Sequence, residues 1–526
     1  MKTVKNKWIV VLSIIIMCTI AKPALVYAAG MVPSTIRVGL RSAYSDKVSI
    51  DVKNTEIEIG YEADNRFIPQ GTLISNTGFI MKPNQKQYYS ARETFYTYNE
   101  AAYSVLAYNQ QGVGAVVAYS GPGKWGVYLE ENTGITSPVQ SQGTEIIVQD
   151  SLGKDLLICE NNGFAPVFAG KSRSQSFDLT ELSKGVYRGW FEFKRKGNTL
   201  TAINIVDYED YLYGVVAAEM PASWHMEALK AQAVAARSMS IYQQNKYLKD
   251  GYNVCDTIYT QVYKGFSGEY PRSNQAVDET RGMVVTYKGK IAETLFFSTS
   301  GGYTEDPENV WGNPIAYLKA VPDPYETDPE GKPWTRTITL AEIDTCLAKQ
   351  NIYIGKAQGI KINSYTPAGR VSELEIIGTS GTYKIVKENV RTFFGSTNGG
   401  SLRSRMFSLG NAESIITEST TKPLGNLAVY RGELPQYIMG ANGKIVPVGQ
   451  SIIVEGIGGP VAYGSVGATS NSSQGAHAAY GTIIISGEGY GHGVGMSQSG
   501  AHGMARAGYT YNQIIEYYYQ GVQVQR

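Results

Sequence analysis

Tyr208-Glu-Asp-Tyr-Leu-Tyr-Gly-Val-Val-Ala-Ala-Glu219-Met-Pro-Ala-Ser223-Trp-His-Met226-Glu-Ala-Leu-Lys-Ala-Gln-Ala-Val-Ala-Ala-Arg237 is the stretch on which the reading of this chain turns. A first helix must stop near Met220, because Pro221 disfavours the helical region in its predecessor and removes a backbone donor. Glu219 therefore sits at a chain reversal. Ser223 is a candidate N-cap for a second helix from Met226 onward, whose alanines permit close approach of neighbouring elements. Arg237 shares a face with Leu229 and Ala233, so its guanidinium lies against protein and needs a carboxylate partner. Glu219 is the expected partner. An acid held between apolar residues and one cation can be poised for proton transfer, since desolvation raises its pKa while the cation lowers it. The same spacing also fits a buried structural salt bridge.

Around that stretch lie 526 residues, too many for one core when domains hold about 100 to 200, so two or three domains are expected. Lys+Arg number 47 against 46 Asp+Glu, a balance that argues against a polyanion binder and hence against nucleic acid as partner. Hydrophobic residues at 43% suffice for real cores, and 58 Gly with 38 Tyr tilt the chain toward turns and amphipathic aromatic surface, as in a β-rich extracellular protein. Lys2, Lys5 and Lys7 precede an apolar run from Trp8 to Ala21, and Val26-Tyr27-Ala28 supplies the small residues of a cleavage site. Residues 1–28 thus read as a secretory signal peptide, and the chain is expected to be exported. With Cys18 in that leader, Cys159, Cys255 and Cys346 are too few for a disulfide framework, and stability must come from packing.

Alternating apolar and polar residues predict antiparallel strands at Ile36-Arg-Val-Gly-Leu40 and Val48-Ser-Ile-Asp-Val52, and again across 144–207. Between them, Ala91 to Tyr108 carries a helical pattern in Ala101, Val105 and Leu106, followed by strands at Gly114-Ala-Val-Val-Ala-Tyr119 and Gly126-Val-Tyr-Leu129. Further strands are expected at Met283–Tyr287, Glu293–Thr299 and Thr482–Ser486, with a short helix at Leu340–Lys349. The fold class that follows is multi-domain α+β, a β-rich scaffold around a central Ala-rich helix, with no fixed-period repeat.

The run Tyr211 to Arg237 closely resembles the signature of the SpoIID/LytB family, named for stage II sporulation protein D and an amidase enhancer. Gln261-Val-Tyr-Lys-Gly265, Ser298-Thr-Ser-Gly-Gly-Tyr-Thr-Glu305, Val310-Trp-Gly312 and Gly491-His-Gly-Val-Gly-Met-Ser-Gln-Ser-Gly-Ala501 resemble the family's later motifs, in the family's order. The resemblance covers most of 180 to 525, and Ile36-Arg-Val-Gly-Leu40 resembles the family's start. It implies N-terminal strands over 31–80, a core over 140–300 with Glu219 and its helix, and a C-terminal part over 301–526. The segment 85–132 then reads as an insertion, weakly similar to SPOR domains, α/β modules that bind glycan strands lacking stem peptides.

What the resemblance implies is cleavage of peptidoglycan glycan strands by a lytic transglycosylase, with Glu219 matching the catalytic acid and Arg237 beside it in the family's pattern. Substrate-binding roles are expected at Gln261, Tyr263, Ser300, Tyr303, His492 and Gln498. The close glycines around His492 allow positive φ and close backbone approach to a ligand, and no lysine follows them as a phosphate loop demands. Turn-building and packing explain these glycines and aromatics equally well, the Tyr517-Tyr-Tyr519 run included. Some relatives hold zinc with a His five residues after the Cys matching Cys255, where this chain has Thr260. No metal and no cofactor are expected. LytB-like relatives imply a second reading, a non-catalytic wall-binding enhancer of an N-acetylmuramoyl-L-alanine amidase. Glycan strands are the expected partner, and in the second reading the motifs hold glycan or a cell-wall amidase.

Overall fold

The computed structural model describes residues 32–132, 137–139, 143–160, 164–171, 178–326, 333–410 and 481–526, with short strand segments between 437 and 477. The expected leader lies outside the described residues. Among the described residues, seven helices of eight residues or more organise the chain: α1 (Tyr98–Gln110), α2 (Tyr208–Glu219), α3 (Met226–Tyr242), α4 (Pro271–Glu279), α5 (Leu340–Lys349), α6 (Gln498–Arg506) and α7 (Tyr511–Tyr518).

A seven-stranded sheet begins with the expected first strand, Thr35–Gly39, which pairs antiparallel with Thr199–Asp207 and parallel with Val254–Cys255. Its period-two pattern is realised directly, Ile36 and Val38 facing the core. A ten-stranded sheet stacks its apolar side on the same core, where Phe79, Met81, Trp125 and Leu157 meet Phe168, Phe191 and α2. Thr199–Asp207 runs straight into α2, and Asp207 caps that helix by accepting from the Glu209 and Asp210 N–H groups at 2.9 and 3.4 Å.

On the far side of α2 lies a helical layer. Small residues of α3, among them Ala228, Ala231 and Ala235, let it pack closely against α4, α6 and α7. Residues from the far end of the chain thus complete the centre: Met496–Ser497 pairs in parallel with Phe296–Phe297, and Gln523–Gln525 pairs with Val284–Tyr287. A third core, built from α5 and the strands Trp334–Thr339, Ala357–Tyr365 and Val371–Gly378, sits under Phe393 and Phe394. Cys159, Cys255 and Cys346 are buried free thiols.

The α+β class with its β-rich scaffold and central Ala-rich helix is as expected. Three local expectations are corrected. The helical pattern from Ala91 resolves into a strand, Tyr89–Phe95, and only then α1, because Thr97 and Glu100 form a reciprocal capping box that starts the helix there. The cap of α3 is His225, whose ring nitrogen accepts from the Glu227 N–H, since Ser223 still lies in the turn closed by Trp224 N–H to Pro221 O. The strand expected at Glu293–Thr299 shrinks to Phe296–Phe297. Within 85–132, Ala115–Gly121 pairs with Asp155–Cys159, so the strands of this segment belong to the ten-stranded sheet.

Candidate active site

Glu219 is the last residue of α2, and Met220 turns the chain to extended geometry at φ −128° ahead of Pro221. Its carboxyl is half-buried and held at both oxygens. Oε1 accepts the Val262 backbone N–H at 3.1 Å, and Oε2 lies 3.5 Å from the Gln498 amide nitrogen. Gln498, itself buried, also reaches Gln232 Oε1 at 3.5 Å, so α3 and α6 both hold the arrangement. Burial pushes the Glu219 carboxyl above its ordinary 4.5, opposed by the Val262 N–H, the Gln498 amide and the charge of Lys264. The group is thus neither sealed nor bathed in bulk water, and both its protonation states are supported.

The expected pairing of Glu219 with Arg237 is corrected. Arg237 is fully buried, as its helical face requires, but it forks onto Glu209 at 3.1 and 2.6 Å and donates to the Met283 carbonyl at 3.0 Å. Glu209 also accepts the Gly282 N–H at 3.1 Å. The reason is helix geometry: Glu209 stands in the first turn of α2 and Glu219 at its end, about 15 Å apart along the axis. Arg237 braces α2, α3 and the turn after α4 beneath the site.

Gln261 and Tyr263 face the core. Gln261 donates its amide to the Ala236 carbonyl at 3.1 Å, and the Tyr263 hydroxyl donates to Asn204 at 2.8 Å while its ring packs 5.2 Å from Tyr211. What their motif offers Glu219 is the Val262 N–H and the charge of Lys264. Ser300 is buried, its hydroxyl donating to Glu326 at 2.5 Å. Tyr303 is half-buried in a bridge to Pro322. His492 accepts the Val494 N–H at Nδ1 and lies 5.5 and 5.2 Å from the Phe297 and Trp311 rings. Burial, aided by Arg391 and Arg370, drives the His492 pKa down to about 3, so the imidazole is neutral at physiological pH.

Of the eight expected residues, then, Glu219 and Gln498 meet. Gln232, Val262 and Lys264 join them unforeseen; Gln232 had a signal in its place within the decisive stretch, four residues beyond Ala228 on a wholly buried face. Around Cys255, the Thr257 and Thr260 hydroxyls lie 3.2 and 3.5 Å from Sγ, and Thr260 also donates to the Cys255 carbonyl at 2.6 Å. Among the described residues no three His, Cys, Asp or Glu side chains are gathered to hold a metal.

Fold and site together define a multi-sheet α+β protein presenting one half-dry glutamate at a helix end. Comparison with known proteins carries this further. The family model described as stage II sporulation protein matches residues 196–287. Stage II sporulation protein D of Bacillus subtilis (strain 168) is 30% identical over 339 residues, 61% of this chain and 76% of the relative. The amidase enhancer of the same organism is 33% identical over 324 residues, 59% of this chain but 39% of the relative. An uncharacterized protein of Brachyspira hyodysenteriae is 30% identical over 64% of this chain and 72% of its own length. The chain belongs to the stage II sporulation protein D family.

Proposed function

We propose that this protein is secreted to the cell wall and cuts peptidoglycan glycan strands there as a lytic transglycosylase acting on peptide-stripped glycan. One carboxyl group serves twice. Ordinary glycosidases need two, one as acid and one as base or nucleophile; here the substrate brings its own nucleophile. Protonated Glu219 gives its proton to the glycosidic oxygen, and the bond from that oxygen to C1 of the muramoyl residue breaks. The muramoyl C6 hydroxyl attacks C1, and its proton passes to the Glu219 carboxylate. The products are a free 4-hydroxyl and a 1,6-anhydro-muramoyl end. Water is not consumed, and the acid is regenerated.

The observation that carries the reading is the state of Glu219: raised toward neutrality by burial, yet with one oxygen on the Val262 N–H and the other near Gln498. The first effect favours the protonated acid that donates, and the second stabilises the carboxylate left behind. Arg237 enters as a brace for the helix that ends in Glu219. The segment 85–132, with Tyr96 and Tyr103 exposed beside and on α1, would add a hold on glycan by stacking. The test is mass spectrometry of peptide-free strands treated with wild-type protein and with Glu219→Gln, which should lose roughly 10²- to 10⁴-fold in rate.

A second reading is favoured by the 33% identity to a relative named amidase enhancer. In that case the chain binds the wall and stimulates an amidase without cutting glycan. Stimulation of a purified cell-wall amidase that survives Glu219→Gln, with no anhydro product from either form, would select it.

A further inference from the structure

Lys264 stands out among the groups that the proposed reaction leaves unused. Burial alternates from Gln261 to Lys264: Gln261 and Tyr263 turn into the core, while Val262 is half-buried and Lys264 exposed. The backbone there is pinned. Tyr263 N–H donates to the Asp256 carbonyl and Lys264 N–H to Gly214, both at 3.3 Å. Gly265 follows at φ +60°, where an added Cβ would stand 2.4 Å from the Tyr187 ring. From this fixed stem the Lys264 side chain is exposed, and among the described residues its ammonium has no ion-pair partner. Two residues earlier in the chain the Val262 N–H holds Glu219 Oε1 at 3.1 Å, so the Lys264 charge bears on Glu219, whose contacts at Val262 and Gln498 are uncharged.

An unpaired cation beside a general acid works against that acid, because it favours loss of the proton before substrate arrives. A substrate anion placed on the cation reverses the effect. In peptidoglycan the muramoyl unit has one group that qualifies: the lactyl carboxylate, which is free where the stem peptide has been removed and is a neutral amide where it has not.

We propose that Lys264 is the residue that recognises the lactyl carboxylate of peptide-free muramoyl units next to Glu219, and so makes the site selective for stripped glycan. The inference rests on the glycan-cleavage reading. Binding the carboxylate supplies an ion pair and, by neutralising Lys264, returns proton affinity to Glu219. A peptide-bearing unit does neither.

The experiment compares peptide-free strands with the same strands whose lactyl carboxylates have been converted to methylamides. Binding is measured with Glu219→Gln protein, with and without Lys264→Met or Lys264→Arg, and turnover with the Glu219 forms. At low salt, the Glu219→Gln protein should prefer carboxylate strands by roughly three- to fivefold, the range of a partly exposed ion pair. The preference should shrink toward one in 1 M salt, vanish with Lys264→Met and return with Lys264→Arg. Equal binding of the two strands, or a preference that Lys264→Met leaves intact, overturns the inference. These binding results stand whether or not anhydro ends form, so failure of the cleavage reading shows separately, as carboxylate preference without product.

Discussion

As the proposed general acid, Glu219 would work only while protonated, and burial raises its pKa above 4.5. Activity should therefore fall as pH rises through that raised value. Gln498→Leu removes an interaction that favours the carboxylate, so it should move the alkaline limb of the pH–rate profile to higher pH; an unmoved limb would separate Gln498 from the acid. Asp323 provides a second titration, one of stability. It is buried beside Glu326 against the first turn of α6, and its carboxyl is pushed up to about 6, by burial first and then by the Glu326 charge. The folded state holds this proton more tightly than the unfolded chain, whose ordinary value is 3.8, so stability is lost as pH rises from about 4 to about 6. Asp323→Asn should flatten the dependence of Tm on pH across that window, the effect being at most about 3 kcal/mol. Arg237→Met strands the Glu209 carboxylate in the core and should cost about 3–5 kcal/mol in denaturant unfolding, and replacing Glu209 by Met as well should recover much of it. At this scale the sequence told which residue types matter and which are buried. It was silent on partners, because Gln498 approaches Glu219 across 279 positions and Arg237 had two glutamates on one helix to choose from.

Elements were legible where a local rule has no competitor. Pro221 ends α2 at the position its ring dictates, and the Thr97 to Glu100 capping box starts α1, although the apolar spacing of Ala101, Val105 and Leu106 blurred that start. The strand before α1 stayed hidden because Glu93 interrupts its Tyr89, Ala91 and Phe95 side and the pairing register shifts between Ser90 and Thr94. Gly214, in the middle of α2, has a reason that only packing reveals: a Cβ there would lie 2.7 Å from the Tyr263 ring and 3.1 Å from the Gly265 nitrogen. Gly214→Ala should push α2 off the segment that supplies the Val262 N–H. The expected result is a loss of about 1–3 kcal/mol in stability with a fall in turnover beyond what lost folding explains; normal turnover per folded molecule would contradict the contact's role.

For the whole molecule, period-two and helical patterns were enough for the α+β class, and the scaffold of two large sheets follows from them. They did not reveal that 85–132 would be stitched into a larger sheet, since strand order is decided by pairing between distant segments. Nor did they reveal how the chain closes. Residues 494–522 supply one wall of the core around α3 and, with Gln498, one side of the site. The glutamate at the end of α2 is the point on which the proposed function depends, and glycan products read it out most directly. Peptide-free glycan strands should gain 1,6-anhydro-muramoyl ends with wild-type protein, by mass spectrometry, and about 100-fold fewer or less with Glu219→Gln. Equal yields from the two proteins, or new ends that carry an oxygen from solvent water, would contradict the assignment.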